Sequence, residues 1–91
     1  MNNTILSETD TKAVLDILIE QLGVREEQLT PDAKLMDDLG GDSLSAVEIT
    51  LALEDRFNLS IPDERWEKVS TVRDLFELLA DLLSGSARQA A

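Results

Sequence analysis

The sequence predicts an all-α domain. It is a small four-helix bundle of three main helices and a short third one, with a long loop between the first two. Three observations predict it. Hydrophobic residues make up 43% of the chain but aromatics only 3%, with no Tyr; that balance suits helices packed by Leu, Ile and Val rather than a sheet. Two Pro and four Gly leave long uninterrupted windows. Within those windows apolar residues recur at helical spacing, not in alternation.

Met1 to Ser7 carries no strong pattern, and residues 1–7 are expected to form a flexible N-terminus ahead of a domain over 8–84. Ser7, Thr9 or Asp10 can cap a first helix over about 8–22. Val14, Ile17, Leu18 and Leu22 fall on one face of it, widened by Leu15 and Ile19. Gly23 followed by apolar Val24 has the form of a Schellman ending. Residues 23–41 make a connection too long to be idle in a compact domain. Glu26 to Leu29 suits a single turn, and Leu29, Ala33, Leu35, Met36 and Leu39 are expected to pin the loop to the core.

The second helix, about 43–57, carries two apolar stripes. Ala46, Ile49, Leu53 and Phe57 form a core stripe. Leu44, Val47 and Leu51 form another, rotated by a third to a half turn, with Glu48, Glu54 and Asp55 close to it. So small a domain can hardly bury both. An exposed apolar stripe rimmed by acids reads as a binding face, and a helix simply central to the bundle is the competing reading. Asn58 to Pro62 ends this helix, with Leu59 and Ile61 turned inward. Pro62 suits the first position of a short third helix over about 63–68. Ser70 or Thr71 caps a fourth, with Val72, Leu75, Phe76, Leu79, Leu82 and Leu83 as its core face. Gly85 ends it, and 85–91 is expected to be a flexible tail.

With neither Cys nor His in the chain, zinc fingers and thiolate catalysis are excluded. No apolar run approaches a membrane span, and the first residues lack the basic region of a signal peptide, so a cytoplasmic protein is expected. The net charge is −11, which disfavours nucleic acid and anionic lipid and favours proteins with basic docking patches. Residues 32–67 hold ten acids against three bases, whereas 68–91 hold three of each. Asp37, Asp38 and Asp42 raise the question of calcium, but no starting Asp gives the EF-hand offsets, and no metal site is assigned.

The acidic excess surrounds Leu39-Gly40-Gly41-Asp42-Ser43-Leu44. Glycine permits a sharp turn there. Asp42, Ser43 and Ser45 are all capping types, and Ser45 with Glu48 fits a capping box. A helix therefore starts close to Ser43, placing its hydroxyl where unpaired N–H groups favour an attached phosphate. Without His, no Ser-His-Asp triad can be built on it. Ser43 is then either a cap or a residue modified by another enzyme.

Asp38-Leu39-Gly40, Asp42-Ser43-Leu44, Val47-Glu48 and Ala52-Leu53-Glu54 form an ordered series that resembles the acyl carrier protein family. The match continues through Phe57, Ile61-Pro62-Asp63-Glu64, Glu67-Lys68-Val69 and Thr71-Val72, with compatible helical periodicity over roughly 14–83. The resemblance implies a non-catalytic carrier. Ser43 would bear 4'-phosphopantetheine through a phosphodiester, and the thiol of that arm would hold acyl groups as thioesters. A Cys-free carrier of thioesters needs such a borrowed thiol. The resemblance also implies that Asp42 helps to dock a phosphopantetheinyl transferase. Leu44, Val47, Glu48, Leu51, Glu54 and Asp55 would meet the acyl-loading and acyl-processing enzymes of fatty-acid, polyketide or related biosynthesis. A monomer is implied.

Four residues depart from the usual fatty-acid carrier pattern: Ser45, Arg56 and Arg65, where acids are common, and Trp66, where a small residue is common. Trp66 is either a lid residue or an aromatic contact to cargo or partner. Two other readings are a peptidyl or aryl carrier, and an acidic helical interaction protein without a prosthetic group.

Overall fold

The computed structural model describes residues 6–84, and the expected tail at 85–91, with Gly85, lies outside them. The elements are α1 (Glu8–Leu22), a 3-10 turn (Glu26–Gln28), α2 (Ser43–Phe57), α3 (Asp63–Trp66) and α4 (Val72–Leu83). Among the described residues this is the expected all-α bundle.

Ser7 caps α1 through its hydroxyl, which accepts the Asp10 N–H at 3.1 Å. Gly23 closes it in the left-handed region (φ +70°), its N–H donating to the Ile19 carbonyl. α4 starts on a capping box: the Thr71 hydroxyl takes the Asp74 N–H, and the Asp74 carboxylate takes the Thr71 N–H. α3 departs from expectation. It is four residues long, and Pro62 sits at its N-cap rather than inside its first turn.

The core is aliphatic. Val14 and Leu18 of α1, Leu53 of α2, and Leu75 and Leu79 of α4 are fully buried. Each such side chain contributes about 1.5–3 kcal/mol by leaving water. α4 is the most enclosed helix, because Leu78 and Ala80 are buried as well. The expected core residues Phe76 and Leu83 are only half-buried.

The long loop is pinned at two levels. Leu29, Ala33, Leu35 and Leu39 enter the core, while Met36, expected beside them, stays 45% exposed. The backbone also pairs with the start of α4 through an antiparallel bridge between Lys34 and Thr71. The Leu35 N–H donates to the Ser70 carbonyl and the Val72 N–H to the Ala33 carbonyl, both at 3.0 Å. The Arg73–Asp32 ion pair at 2.8 Å adds little at its exposure.

Candidate attachment site and the face of α2

The end of the loop fixes where α2 begins. The Asp38 carboxylate accepts the Lys34 N–H at 2.8 Å, closing a tight turn. Gly40 has φ +77°, a conformation that costs other residues roughly 1–2 kcal/mol. Gly41 is needed for a different reason. A Cβ there would stand 2.9 Å from the Leu35 carbonyl oxygen and 3.3 Å from a Leu22 methyl. Only Gly40 thus uses the backbone freedom expected of the pair.

Asp42 is the N-cap of α2, its carboxylate accepting the Ser45 N–H at 2.8 Å. This replaces the expected Ser45–Glu48 box. The Ser45 N–H, then the Ser45 hydroxyl, hold the Asp42 carboxyl below its ordinary range. With capping done by Asp42, Ser43 is the first helical residue. Its side chain is exposed, and its hydroxyl makes no hydrogen bond among the described residues. The first turn of α2 holds no acid. A phosphate on Ser43 Oγ therefore fits: it meets the positive end of the helix without displacing a structural contact.

Beyond Ser43 runs the second apolar stripe. Leu44, Val47 and Leu51 are 64%, 54% and 59% exposed. Glu48 and Asp55 are exposed beside them. Glu54 is half-buried, and one of its oxygens accepts the Ile61 N–H at 2.7 Å. Arg56 lies off this stripe, with its guanidinium 5.7 Å from the Phe57 ring centroid. Asp37, Asp38 and Asp42 do not converge, and no group of three possible metal ligands occurs among the described residues.

Between α2 and α3 lies an open cleft of about 290 Å³. Ala46, Val47, Thr50 and Leu51 line it from α2, facing Ile61 and Trp66. Glu54 and Asp63 also line it. Trp66 was singled out by the sequence. Thr50 was not, and Ala46, expected in the core stripe, is half-buried and lines the cleft instead. Their signal was size: small residues at three and seven positions past Ser43 leave room along the helix.

A helical bundle with an exposed serine at a helix N-terminus, next to a groove and an acid-rimmed apolar face, defines a small carrier domain. Known proteins agree. The family model described as "Phosphopantetheine attachment site" matches residues 12–79. An acyl carrier protein of Syntrophobacter fumaroxidans (strain DSM 10017 / MPOB) is 51% identical over 67 residues, covering 74% of this chain and 83% of that protein. The chain belongs to the acyl carrier protein family, and its prosthetic group is 4'-phosphopantetheine. The family works with a phosphopantetheinyl transferase and with biosynthetic enzymes. Among the described residues no helix is long and apolar enough to cross a membrane.

Proposed function

We propose that Ser43 is the attachment residue and that the protein is a non-catalytic, monomeric, cytoplasmic carrier. The observation that carries this is the division of labour at the start of α2. Asp42 takes the capping role, which leaves the Ser43 hydroxyl exposed and uncommitted. When bound, the prosthetic group supplies a thiol that holds acyl groups as thioesters. The chain supplies the anchor, a helix terminus that favours the phosphate, and two surfaces.

The first surface is the α2 face. Leu44, Val47 and Leu51 offer apolar contact, while Asp42, Glu48, Glu54 and Asp55 set a negative rim for partners with basic patches. The second is the α2–α3 cleft, where an apolar cargo lies against Ile61 and Trp66. Fatty-acid, polyketide and related synthases are the fitting partner classes.

The test is mass spectrometry after incubation with coenzyme A, Mg²⁺ and a broad-specificity transferase. One pantetheine increment should appear, and peptide mapping should place it on Ser43. Its placement on another serine would sink the site assignment. An unmodified protein with two different transferases would sink the carrier reading.

A further inference from the structure

We propose that Asp74, in the first turn of α4, is a positioning residue for the attachment of pantetheine to Ser43. The inference rests on the carrier reading above. A chain of hydrogen bonds runs from α4 to the start of α2. One Asp74 carboxylate oxygen accepts the Ser70 N–H at 3.0 Å and the Thr71 N–H at 3.1 Å. The Ser70 carbonyl accepts the Leu35 N–H at 3.0 Å, and the Leu35 carbonyl accepts the Gly41 N–H at 3.0 Å. Gly41 directly precedes Asp42, the cap of α2, and Ser43 follows as the first helical residue. Asp74 is thus joined to the backbone next to the cap through Ser70 and Leu35.

The neighbours of this route bind the same two segments. Val72 N–H donates to the Ala33 carbonyl at 3.0 Å, and Arg73 N–H to the Pro31 carbonyl at 2.9 Å. These bonds and the Leu35–Ser70 bond flank Thr71, whose extended backbone (φ −113°, ψ 170°) enters α4 through the capping box with Asp74. Gly41 lies so near Leu35 that a Cβ would stand 2.9 Å from its carbonyl oxygen. A shift of Leu35 therefore reaches Gly41 directly. Asp74 itself lines neither the α2–α3 cleft nor the exposed stripe of α2, so it acts through Ser70 and not by touching cargo or partner. In the transfer, the Ser43 oxygen forms a bond to the pantetheine-bearing phosphorus of coenzyme A. The pyrophosphate bond breaks, the adenosine bisphosphate leaves, and the hydroxyl proton passes to the transferase or to water. Such a displacement depends on where the attacking oxygen is held.

The experiment measures kcat and KM of a broad-specificity transferase, with coenzyme A and Mg²⁺, on wild type, Asp74→Ala, Asp74→Asn, Asp74→Glu and Ser7→Ala. Rates are taken well below each melting point, and circular dichroism confirms each fold. Asp74→Ala should lower kcat about ten-fold, since a misplacement of about 1 Å far from the chemistry can cost ~100-fold. KM should hold, because the docking residues of α2 are intact. Asp74→Asn, which keeps an acceptor oxygen, should fall between. Asp74→Glu should recover the wild-type rate, because Glu is a regular partner in a capping box. Ser7→Ala removes the cap of α1 and lowers stability without touching the route, so its kcat should equal that of wild type. Hydrogen exchange at the Leu35 and Gly41 amides should quicken in Asp74→Ala and not in Ser7→Ala. An unchanged kcat in Asp74→Ala, an equal fall in Ser7→Ala, or a Glu variant as slow as the Ala one overturns the proposal. If Asp74→Ala does not fold, Asp74→Asn is held to the same criteria. Wild type modified at Ser43 alongside equally fast variants overturns this inference alone. Wild type that takes up no arm overturns the carrier reading with it.

Discussion

The Glu54 carboxylate accepts the Ile61 backbone N–H at 2.7 Å, joining the last turn of α2 to the segment that leads into α3. Glu54 thereby serves the fold as well as the acidic rim. Ile61 is only 5% exposed, so no water readily replaces the carboxylate. Glu54→Ala should cost about 1–3 kcal/mol, the penalty of an orphaned buried donor. It should also raise amide exchange across 61–66. Chemical denaturation measures the first effect and hydrogen exchange the second. A variant as stable as wild type, with unchanged exchange, would show the bond to be idle.

Ser43→Ala should abolish pantetheinylation and leave stability within about 0.5 kcal/mol, as for a surface residue outside any cap. Intact mass reads the first outcome and thermal melting the second. A mutant that melts well below wild type would mean that the hydroxyl has a structural role after all.

The two glycines should respond differently. Gly40→Ala meets open space and costs only backbone strain, roughly 1–2 kcal/mol. Gly41→Ala drives a methyl against the Leu35 carbonyl at 2.9 Å and should cost about 1–3 kcal/mol as the turn shifts. It should also slow modification of Ser43, because the turn leads directly into α2. Equal transferase rates for wild type and Gly41→Ala would argue against that coupling.

The pH response should centre on Asp42 and Asp74. The Ser70 N–H, then the Thr71 N–H, hold the Asp74 carboxyl below its ordinary value of 3.8. For a carboxylate lowered in the folded state, the unfolded chain binds protons first. Its contribution is complete above the unfolded value and disappears as pH falls through the folded one. Asp74→Asn should therefore melt below wild type near neutrality, and the gap should close below about pH 3.8. A gap that persisted in strong acid would assign the loss to altered packing.

Salt should stabilise the fold, because a net charge of −11 opposes compaction. With no carboxylates converging on a metal site among the described residues, Mg²⁺ should act mainly as a screening ion. Sodium chloride at matched ionic strength should raise the melting temperature nearly as far. A much larger rise with Mg²⁺ would reveal a discrete binding site.

Trp66 should report loading directly. As the sole Trp, and as a cleft residue, its emission should shift between pantetheinylated and octanoyl-loaded protein. Identical spectra would place the cargo elsewhere.

Most of this architecture was legible in the residues. Gly23 marks the end of α1, and the spacing of Leu44, Val47 and Leu51 against Ile49 and Leu53 separates the two sides of α2. Local signals failed where long-range contacts decide. Met36 looks like a core residue by type, yet the turn closed by Asp38 and Lys34 leaves it in solvent. Pro62 can begin a helix at either of two adjacent positions, and sequence alone does not choose between them. The cleft needs both α2 and α3 in place, so only its small residues and Trp66 left a trace in the chain. The Lys34–Thr71 pairing left none, because it is made by backbone groups that every residue has.

That pairing has a kinetic consequence. Helices α1 and α2 can form from neighbours in the chain, but the Lys34–Thr71 bridge must close a large loop, and such non-local contacts are slow to form. The loop that leads to the serine is therefore fixed late in folding, once the first turn of α4 is present. By the same route, opening of that turn frees the loop, so both belong to one cooperative unit. A peptide holding only the Asp-Ser-Leu motif keeps its letters but loses the loop before it, which is held by its pairing with the start of α4.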